Sequence, residues 1–275
     1  MGGTGVALGI GGYSGLVGPY ENQVTRISLT LPHLPAQFDG LKIAQVSDLH
    51  YGPFTGDREI GAAIAIAASL DPDLVVATGD FITTPRFGDR QVGVAKIEPC
   101  SRLLQLLRPP LGSFAVLGNH DYGSAPDFVA QVLDVHGTRV LRNQSVAFER
   151  DGARFWLVGV DEVMFKVANL DKALAKIPPD ECKIVIVHEP DFADVVALHQ
   201  VDLQISGHSH GGQVRLPGLR PLYLPPMADK YWEGLYRIRG LQLYVNRGIG
   251  TIGVPLRLGA DPEITLFTLH SPQSS

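Results

Sequence analysis

Five short segments of the chain combine aspartate, asparagine and histidine in patterns that can bind metal ions. They are Asp48-Leu49-His50, Gly79-Asp80, Gly118-Asn119-His120-Asp121, His188 and Gly207-His208-Ser209-His210. In an extended chain, residues two apart point the same way, so each D-x-H or H-x-H pair could face one pocket. A mixture of carboxylates and imidazoles suits Mn, Fe, Zn or Co better than it suits an all-oxygen Ca or Mg site.

Each of these segments directly follows a short apolar run that is typical of a buried strand. The predicted strands span residues 42–46, 74–77, 113–117, 183–187 and 203–206. Because ligands bind at the carboxyl ends of strands in open α/β sheets, we expect these side chains to converge. A single D-x-H or G-D segment would be more typical of a turn, so the prediction depends on the ordered set.

The remaining patterns predict how these strands are arranged. Helices are predicted over residues 59–70, with Asp57 as N-cap, and over 101–107 and 127–135. Residues 139–146 and 155–160 read as a strand pair around the turn Asp151-Gly152, and further strands are predicted at 234–238, 241–245 and 263–269. Early β-α alternation followed by an antiparallel run predicts a layered α/β domain with two sheets.

Composition excludes several classes of protein. The chain has 275 residues, of which 45% are hydrophobic and 19% charged, as in ordinary globular proteins. Its formal net charge of −5 argues against a nucleic-acid binder with a broad basic face. Two cysteines, Cys100 and Cys182, are too few and too far apart for a disulfide framework or a thiolate zinc site.

The first twenty residues carry no charged side chain and are rich in glycine. Residues 1–21 are therefore interpreted as a disordered tail or as the remnant of a membrane anchor, since a spanning helix needs about 20 predominantly apolar residues. Residues 22–275 are predicted to form a single domain, with every motif inside 40–270.

The ordered motifs resemble those of the calcineurin-like metallophosphoesterases: D-x-H, G-D, G-N-H-[DE], H and G-H-x-H. Residues 207–217, 231–236 and 243–253 are similar to a bacterial, often membrane-anchored branch of that superfamily. This branch includes phosphodiesterases and UDP-2,3-diacylglucosamine pyrophosphatases. The resemblance implies an α/β metallophosphoesterase fold, with a central β-sandwich of two mixed sheets flanked by helices.

The resemblance also implies a role for each motif residue. Asp48, His50 and His210 would hold one metal ion, Asn119, His188 and His208 a second, and Asp80 would bridge them. His120 would donate a proton to the leaving oxygen. Two divalent ions per chain are expected, with manganese favoured and iron, zinc or cobalt as alternatives. Two cations roughly 3.5–4 Å apart would neutralise phosphoryl oxygens and activate a water.

One departure from the family pattern concerns His120. Many relatives carry a second aspartate after Gly-Asp that orients this histidine, whereas here Asp80 is followed by Phe81-Ile82-Thr83-Thr84. Asp121 is adjacent in sequence, but neighbouring side chains usually diverge, so it is not assigned that role. Arg247, in a loop after a predicted strand, could contact an anionic substrate or could be an ordinary surface arginine.

The predicted function is that of a dinuclear metal-dependent hydrolase of phosphate esters. A phosphodiesterase or pyrophosphatase acting on a lipid-linked or nucleotide-sugar substrate is favoured, with a phosphomonoesterase or a scaffold without turnover as alternatives. A metallo-β-lactamase-like enzyme would need H-x-H-x-D-H, which is missing. Membrane association through the N-terminus is expected, with a soluble cytoplasmic protein as the alternative. The sequence indicates no nucleic-acid partner and no oligomeric state.

Overall fold

Two mixed β-sheets pack face to face in the computed structural model, which describes residues 22–84, 93–216 and 219–272. Their strands, in chain order, are β1 (Gln23–Thr30), β2 (Leu41–Val46), β3 (Leu74–Ala77), β4 (Ser113–Ala115), β5 (Thr138–Val140), β6 (Gln144–Arg150), β7 (Ala153–Gly159), β8 (Cys182–Ile186), β9 (Leu203–Ser206), β10 (Gly234–Ile238), β11 (Leu241–Val245) and β12 (Glu263–His270).

The two sheets are built on similar plans. The first has the strand order β1-β12-β2-β3-β4-β5, and the second has the order β10-β11-β9-β8-β7-β6. In the first sheet β2, β3, β4 and β5 run parallel, and in the second β7, β8, β9 and β11 do so. Both sheets therefore place several carboxyl ends together at one edge, as ligand-binding α/β sheets do.

Helices cover the outer faces of both sheets. They are α1 (Asp57–Ser69), α2 (Ile97–Leu104), α3 (Asn119–Ser124), α4 (Pro126–Val135), α5 (Leu170–Leu174) and α6 (Ala193–Val196). Buried residues of α1, α2 and α4 pack on the first sheet, and those of α5 and α6 pack on the second. The central strands are buried on both faces, which explains why they read as continuous apolar runs such as Leu74–Ala77.

A third apolar cluster fills the space between the sheets. Phe38 and Phe148 both contact Phe155, with ring centroids 4.8 Å apart in each pair, and Tyr244 meets Phe267 at 5.2 Å. Aromatic rings contribute large buried areas to such cores. The predicted α/β sandwich of two mixed sheets flanked by helices is thus confirmed, and its core fixes the relative position of the strand ends.

Two details of the sequence prediction are wrong. Residues 139–146 are not one strand: β5 belongs to the first sheet and β6 to the second, because the chain crosses between the sheets near Asn143. The N-cap of α1 is Gly56 and not Asp57. The Gly56 amide donates to the Glu59 carboxylate at 3.0 Å, and the Asp57 carboxylate accepts a hydrogen bond from the Tyr51 hydroxyl.

The helix predicted over 101–107 spans Ile97–Leu104, and β1 is a strand that the sequence did not predict. β1 pairs in parallel with β12 over its whole length, so the domain begins by Gln23. The interpretation of residues 1–21 lies outside the described residues. Among the residues that are described, no helix is both long and apolar enough to cross a membrane.

Candidate metal centre

The loops at the carboxyl ends of the strands have an unusual backbone. Asp48, His50, Asp80, His208 and His210 all have positive φ values, between 44° and 71°. Residues other than glycine rarely adopt this left-handed region, and strained backbone of this kind clusters at functional sites. All five were predicted as metal ligands, so the strain coincides with the predicted chemistry.

Glycines allow these loops to approach one another closely. A Cβ atom at Gly118 would lie 2.2 Å from Asp80 Oδ1, and one at Gly207 would lie 2.0 Å from Ser47 Oγ and 2.4 Å from Asp48 Oδ2. No side chain fits in either place. The glycines after the strands therefore permit the loops that carry the predicted ligands to contact each other directly.

The structure brings Asp48, His50 and His210 together into a first cluster. The Nε2 atoms of His50 and His210 face each other at 3.1 Å, and His210 Nε2 lies 3.4 Å from Asp48 Oδ1. All three side chains are buried. A cation bound between these atoms would take a lone pair from each ring and one from the carboxylate.

Asp80, His188 and His208 form a second cluster. His208 Nδ1 lies 3.1 Å from His188 Nε2, which is 3.4 Å from Asp80 Oδ2. The same Asp80 oxygen is also 3.4 Å from His50 Nε2 in the first cluster. Asp80 therefore stands between the two clusters, in the place that a bridging ligand would occupy.

Hydrogen bonds on the far side of the rings fix which nitrogen is free in the second cluster. His188 Nδ1 donates to the Thr78 carbonyl at 2.6 Å, and His208 Nε2 donates to the Pro226 carbonyl at 2.8 Å. A carbonyl can only accept, so His188 Nδ1 and His208 Nε2 each carry a proton. The opposite nitrogens face the cluster, and each would offer its lone pair to a metal ion when the ring is neutral.

The titration of the cluster residues differs from one residue to the next. Burial raises the pKa of Asp48 to about 6. Burial would lower the pKa of His188, but the adjacent Asp80 outweighs it and holds that pKa well above its ordinary value. Burial lowers the pKa of both His50 and His208 to about 3, so both rings are neutral at pH 7. Burial alone would raise the pKa of Asp80, but His188 and His120 outweigh it, so its pKa lies well below the ordinary value and the carboxylate is charged.

Asn119 Oδ1 supplies an independent test of the site. It is a buried side-chain oxygen without a hydrogen-bond partner, which is rare in native structures. The resemblance assigned Asn119 to the second metal ion, and a cation there would satisfy this oxygen. The donor set and the orphaned amide oxygen therefore both fit two divalent cations.

His120 lies at the edge of the same site. A ring nitrogen of His120 lies within 4.8 Å of ligand atoms of His50 and Asp80, and its backbone amide donates to Asp80 Oδ1 at 2.8 Å. Its Nδ1 accepts the backbone N–H of Thr84 at 3.0 Å. The partner of His120 is thus a main-chain amide, which sequence motifs do not reveal.

Asp121 has a different partner set from His120, as the divergence of adjacent side chains predicts. Its buried carboxylate accepts the backbone N–H groups of Gly118 at 2.9 Å, Asp80 at 2.9 Å and Phe81 at 3.0 Å. These bonds tie the loop that carries Asp80 to the loop that carries Asn119 and His120. Asp121 is therefore a positioning residue for two predicted ligands.

Arg247 is placed outside this cluster. Its Nε lies 3.1 Å from the Glu263 carboxylate, and the residue is not among those lining the cavity above the metal centre. Its predicted contact with substrate stays a prediction. The buried Arg257, which sequence reasoning missed, bonds the carbonyls of Arg247, Gly248 and Ala260 and so holds the loop beside Asp48.

A cavity of about 870 Å³ opens over the two clusters. Its floor includes His50, Asp80, Asn119, His120 and His208. Six of the residues lining it are large apolar side chains that are exposed to solvent: Phe54, Met164, Val214, Leu222, Tyr223 and Val254. The site thus combines a polar floor that can bind phosphate through metal ions with a largely apolar wall.

Several known proteins are similar to this chain in sequence. A sequence model described as calcineurin-like phosphoesterase matches residues 41–212. An uncharacterised metallophosphoesterase of Bacillus subtilis is 34% identical over 94% of this chain and 90% of its own length. The phosphodiesterase YaeI of Escherichia coli is 30% identical, covering 83% of this chain and 82% of its own. The UDP-2,3-diacylglucosamine pyrophosphatase LpxG of Chlamydia muridarum is 30% identical, covering 91% and 90%.

Some similar proteins are longer. A protein of Bos taurus, named as a transmembrane protein with a metallophosphoesterase domain, is 29% identical over 90% of this chain, which spans only 57% of its length. The structure of the sulfate thiohydrolase SoxB of Thermus thermophilus superposes with a TM-score of 0.52 and 12% identity, over 86% of this chain and 57% of that one. The latter likeness shows the fold alone.

The sequence match and the structure therefore agree on one family. The match covers well over half of the chain, from the first residue of β2 to the end of the Gly207–Gly212 loop, and includes every residue of the two clusters. The chain belongs to the calcineurin-like phosphoesterases and is a metal-dependent phosphoesterase.

Proposed function

We propose that this protein hydrolyses a phosphodiester or pyrophosphate that carries an apolar tail, using two divalent metal ions. The observation that carries the proposal is the cavity of about 870 Å³ with metal-ligand residues at its floor and apolar side chains on its wall. Ligand pockets usually combine an apolar lining with a few precisely placed polar groups. A lipid-linked phosphate has the matching division into an anionic and an apolar part.

The exposure of the apolar wall supports an amphipathic substrate. Leu222 is fully exposed, Tyr223 is 71% exposed and Phe54 is 41% exposed, although each lines the cavity. Large exposed apolar patches mark sites of interaction with proteins, membranes or ligands. Here the patch adjoins the candidate metal centre, so the tail of a substrate held by its phosphate would reach it.

We assign the roles of the polar residues as follows. Asp48, His50 and His210 would hold one ion, Asn119, His188 and His208 would hold the other, and Asp80 would contribute to both sites. Two such ions would neutralise phosphoryl oxygens and lower the pKa of a bound water, and manganese is the metal we expect. Asp121 keeps the loops of Asp80 and Asn119 together. His120 donates to the oxygen that leaves when the P–O bond breaks.

The test is a hydrolysis screen with Mn²⁺ in which each substrate is offered with and without its acyl chains. Burying one CH₂ group is worth about 0.8 kcal/mol, so contact with a few methylenes should raise kcat/KM about tenfold or more. The pairs are a nucleotide-sugar pyrophosphate and a glycerophosphodiester. A phosphomonoester and a cyclic nucleotide complete the set. Equal rates with and without acyl chains would contradict the proposed tail contact.

A matched pair of variants makes this screen specific. Leu222→Ser should reduce the preference for the acylated substrate several-fold and leave hydrolysis of a small aryl ester unchanged. Leu198→Ser is the control, because Leu198 is 63% exposed but does not line the cavity. Hydrolysis of the phosphomonoester alone would establish the alternative function, and no hydrolysis at all would favour a scaffold.

We also propose that the protein works at a membrane surface. A transmembrane relative, the uncharged residues 1–20 and the apolar wall of the cavity support this location. Removing residues 1–20 leaves β1 intact, since that strand begins at Gln23. The shortened chain should keep its turnover on a small soluble ester and sediment less with liposomes. Unchanged sedimentation would contradict a role for residues 1–20.

A further inference from the structure

The opening of the cavity is surrounded by loops that expose apolar side chains. These loops are residues 51–56, 163–170, 214–216, 219–227 and 249–258, and we call them the apolar rim; each contributes at least one residue to the lining of the cavity. Among the described residues, sixteen large apolar side chains are exposed, and ten of the sixteen belong to the rim. Exposed apolar surface concentrated in this way marks a site of interaction.

Part of this apolar surface lies outside the cavity. Phe165, Leu216 and Leu219 are 50%, 58% and 59% exposed, and none of them lines the cavity. One substrate tail held in the cavity would leave these side chains in water. The rim therefore offers more apolar surface than a single substrate covers, which indicates a larger partner.

The rim contains no acidic residue. The chain as a whole has a formal net charge of −5, but the charged side chains of the rim are all basic: Lys166, Arg215, Arg220 and Arg257. Arg257 is buried, and Arg215 pairs with Glu233. The exposed cations of the rim are therefore Lys166 and Arg220. Exposed apolar side chains combined with cations are complementary to the surface of a bilayer, where phosphates lie above acyl chains.

Main-chain hydrogen bonds set the shape of the rim. The Gln213 side chain donates to the carbonyls of Ile252 and Val254, both at 3.0 Å, and accepts the N–H of Ile252 at 2.9 Å. The N–H of Arg215 donates to the Leu258 carbonyl at 2.9 Å. These bonds connect two of the rim loops through their polar groups. The apolar side chains take no part in these bonds and stay available for a partner.

The chain enters the domain at the same edge of the sandwich. β1 begins at Gln23, whose N–H donates to the Pro262 carbonyl at 2.7 Å. The residue after Pro262 donates to the Gly248 carbonyl at 3.1 Å, and a Cβ atom at Gly248 would lie 2.7 Å from that of Asp48. β1 therefore starts beside the metal centre. Residues 1–20, which carry no charged side chain, join the domain here, so a membrane that they contacted would also meet the rim.

We propose that the apolar rim docks the protein on a lipid bilayer, with its apolar side chains among the acyl chains and Lys166 and Arg220 at the level of the phosphates. Long basic side chains can reach phosphates while their methylene groups contact acyl chains. The cavity then opens onto the leaflet, and a lipid head group enters it while the acyl chains stay in the membrane. The inference rests on the proposed function, since it assigns the surface by which the protein meets a membrane-bound substrate.

Binding to vesicles of phosphatidylcholine and phosphatidylglycerol, without substrate, tests the docking surface by itself. In the full chain, Leu216→Ser with Leu219→Ser should lower the lipid partition coefficient about tenfold or more, because binding scales with buried apolar area. The control is Leu106→Ser with Leu198→Ser, whose leucines are 61% and 63% exposed but lie outside the rim. Free energies of separate contacts add, so binding through residues 1–20 would not mask the difference. Equal partition coefficients for the two double variants would overturn the proposal.

A fluorescent label in the rim reports whether this surface enters the bilayer. Both native cysteines are buried and therefore inert, so a thiol reagent should label only an introduced cysteine. On vesicles, the label at Leu222→Cys should shift its emission to the blue and be quenched by lipids brominated along the acyl chain. The label at Leu198→Cys should show neither change. An unchanged signal from Leu222→Cys would contradict insertion of the rim.

A second copy of this chain is the alternative partner for the rim. Sedimentation velocity of the wild type without lipid distinguishes the two partners. The proposal predicts the same distribution of species for the wild type and for Leu216→Ser with Leu219→Ser. A wild-type dimer that dissociates in this variant, together with a lack of vesicle binding, would overturn the proposal.

Turnover separates this inference from the proposed function. With an acylated pyrophosphate embedded in vesicles, Leu216→Ser with Leu219→Ser should lower the rate about tenfold. With the soluble analogue that lacks acyl chains, the rate should be unchanged, since neither leucine lines the cavity. If no substrate is hydrolysed but vesicle binding still depends on the rim, the proposed function fails and the docking surface stands. Equal rates of the wild type and the variant on vesicles would overturn the docking surface and leave the proposed hydrolysis intact.

Discussion

The two clusters of the candidate metal centre differ in what holds the outer nitrogens of their histidines. In the second cluster, backbone carbonyls of Thr78 and Pro226 accept from His188 and His208 at 2.6 and 2.8 Å. In the first, the Nδ1 atoms of His50 and His210 meet the Thr83 hydroxyl at 3.2 Å and the Arg257 guanidinium at 3.4 Å.

The two clusters therefore differ in how firmly the tautomers of their histidines are fixed before a metal ion binds. A carbonyl fixes the tautomer because it only accepts, whereas a hydroxyl can donate or accept and a guanidinium only donates. Loss of the hydrogen-bond partner of a metal-ligating histidine typically lowers metal affinity about 10- to 100-fold. The second cluster should therefore bind its ion more tightly, and the first should exchange its ion more readily.

The largest expected effect comes from the residue that the clusters share. Asp80→Asn should remove a charged ligand from both ions. Metal charge stabilises the transition state by several kcal/mol, and about 1.36 kcal/mol is tenfold in rate, so turnover should fall about 10³-fold or more. Elemental analysis should find metal lost from both clusters. The control is Asp171→Asn, whose side chain is 90% exposed. A variant that retained both ions and its activity would contradict the bridging role.

A substitution that displaces Asp80 without replacing it should have the next largest effect. In Gly118→Ala the new Cβ would lie 2.2 Å from Asp80 Oδ1, so the two loops must separate. A displacement of 1 Å can cost about 10²-fold in rate, and we expect a loss of this order in kcat. Gly240→Ala is the matched control, since no atom beyond its chain neighbours lies within 4 Å of its Cβ position. Equal activity of the two variants would show that the loop contact is dispensable.

Thr83→Val tests the weaker cluster alone. Loss of the hydroxyl beside His50 Nδ1 should lower the affinity for one of the two ions about tenfold and leave the other unchanged. Isothermal titration with Mn²⁺ measures both steps, and Thr268→Val in β12 serves as the control. A reduction of both affinities by the same factor would argue against two clusters of different preorganisation.

Partial chelation should show the smallest difference between the clusters. As EDTA is added to the Mn²⁺-loaded protein, the first ion should leave at a lower chelator concentration than the second. Electron paramagnetic resonance distinguishes a coupled pair of Mn²⁺ ions from a single ion, so an uncoupled spectrum should appear at half occupancy. Simultaneous loss of both ions would remove the proposed difference in affinity.

The parts that sequence predicted are those with local signals. Buried parallel strands such as Leu74–Ala77 are apolar throughout, and the residues after them combine metal-binding side chains with glycine. Both signals lie within a few residues of each other. For this reason the convergence of the five motif-bearing loops and the two-sheet fold could be predicted.

The parts that sequence did not predict depend on distant contacts. β1 has mostly exposed or half-buried residues and is defined by its pairing with β12, some 240 residues later. The amide that holds His120 belongs to Thr84, 36 residues away, and a main-chain group leaves no mark on residue type. Arginine is a residue type that is typical of protein surfaces, yet Arg257 is fully buried among carbonyl oxygens.

The most direct test of the dinuclear centre is a metal titration of the metal-free protein. Elemental analysis at saturating Mn²⁺ should find two ions per chain, and calorimetry should resolve a tight step and a weaker one. His208→Ala should remove the tight step and His210→Ala the weaker one. A single ion per chain at saturation would contradict a dinuclear centre.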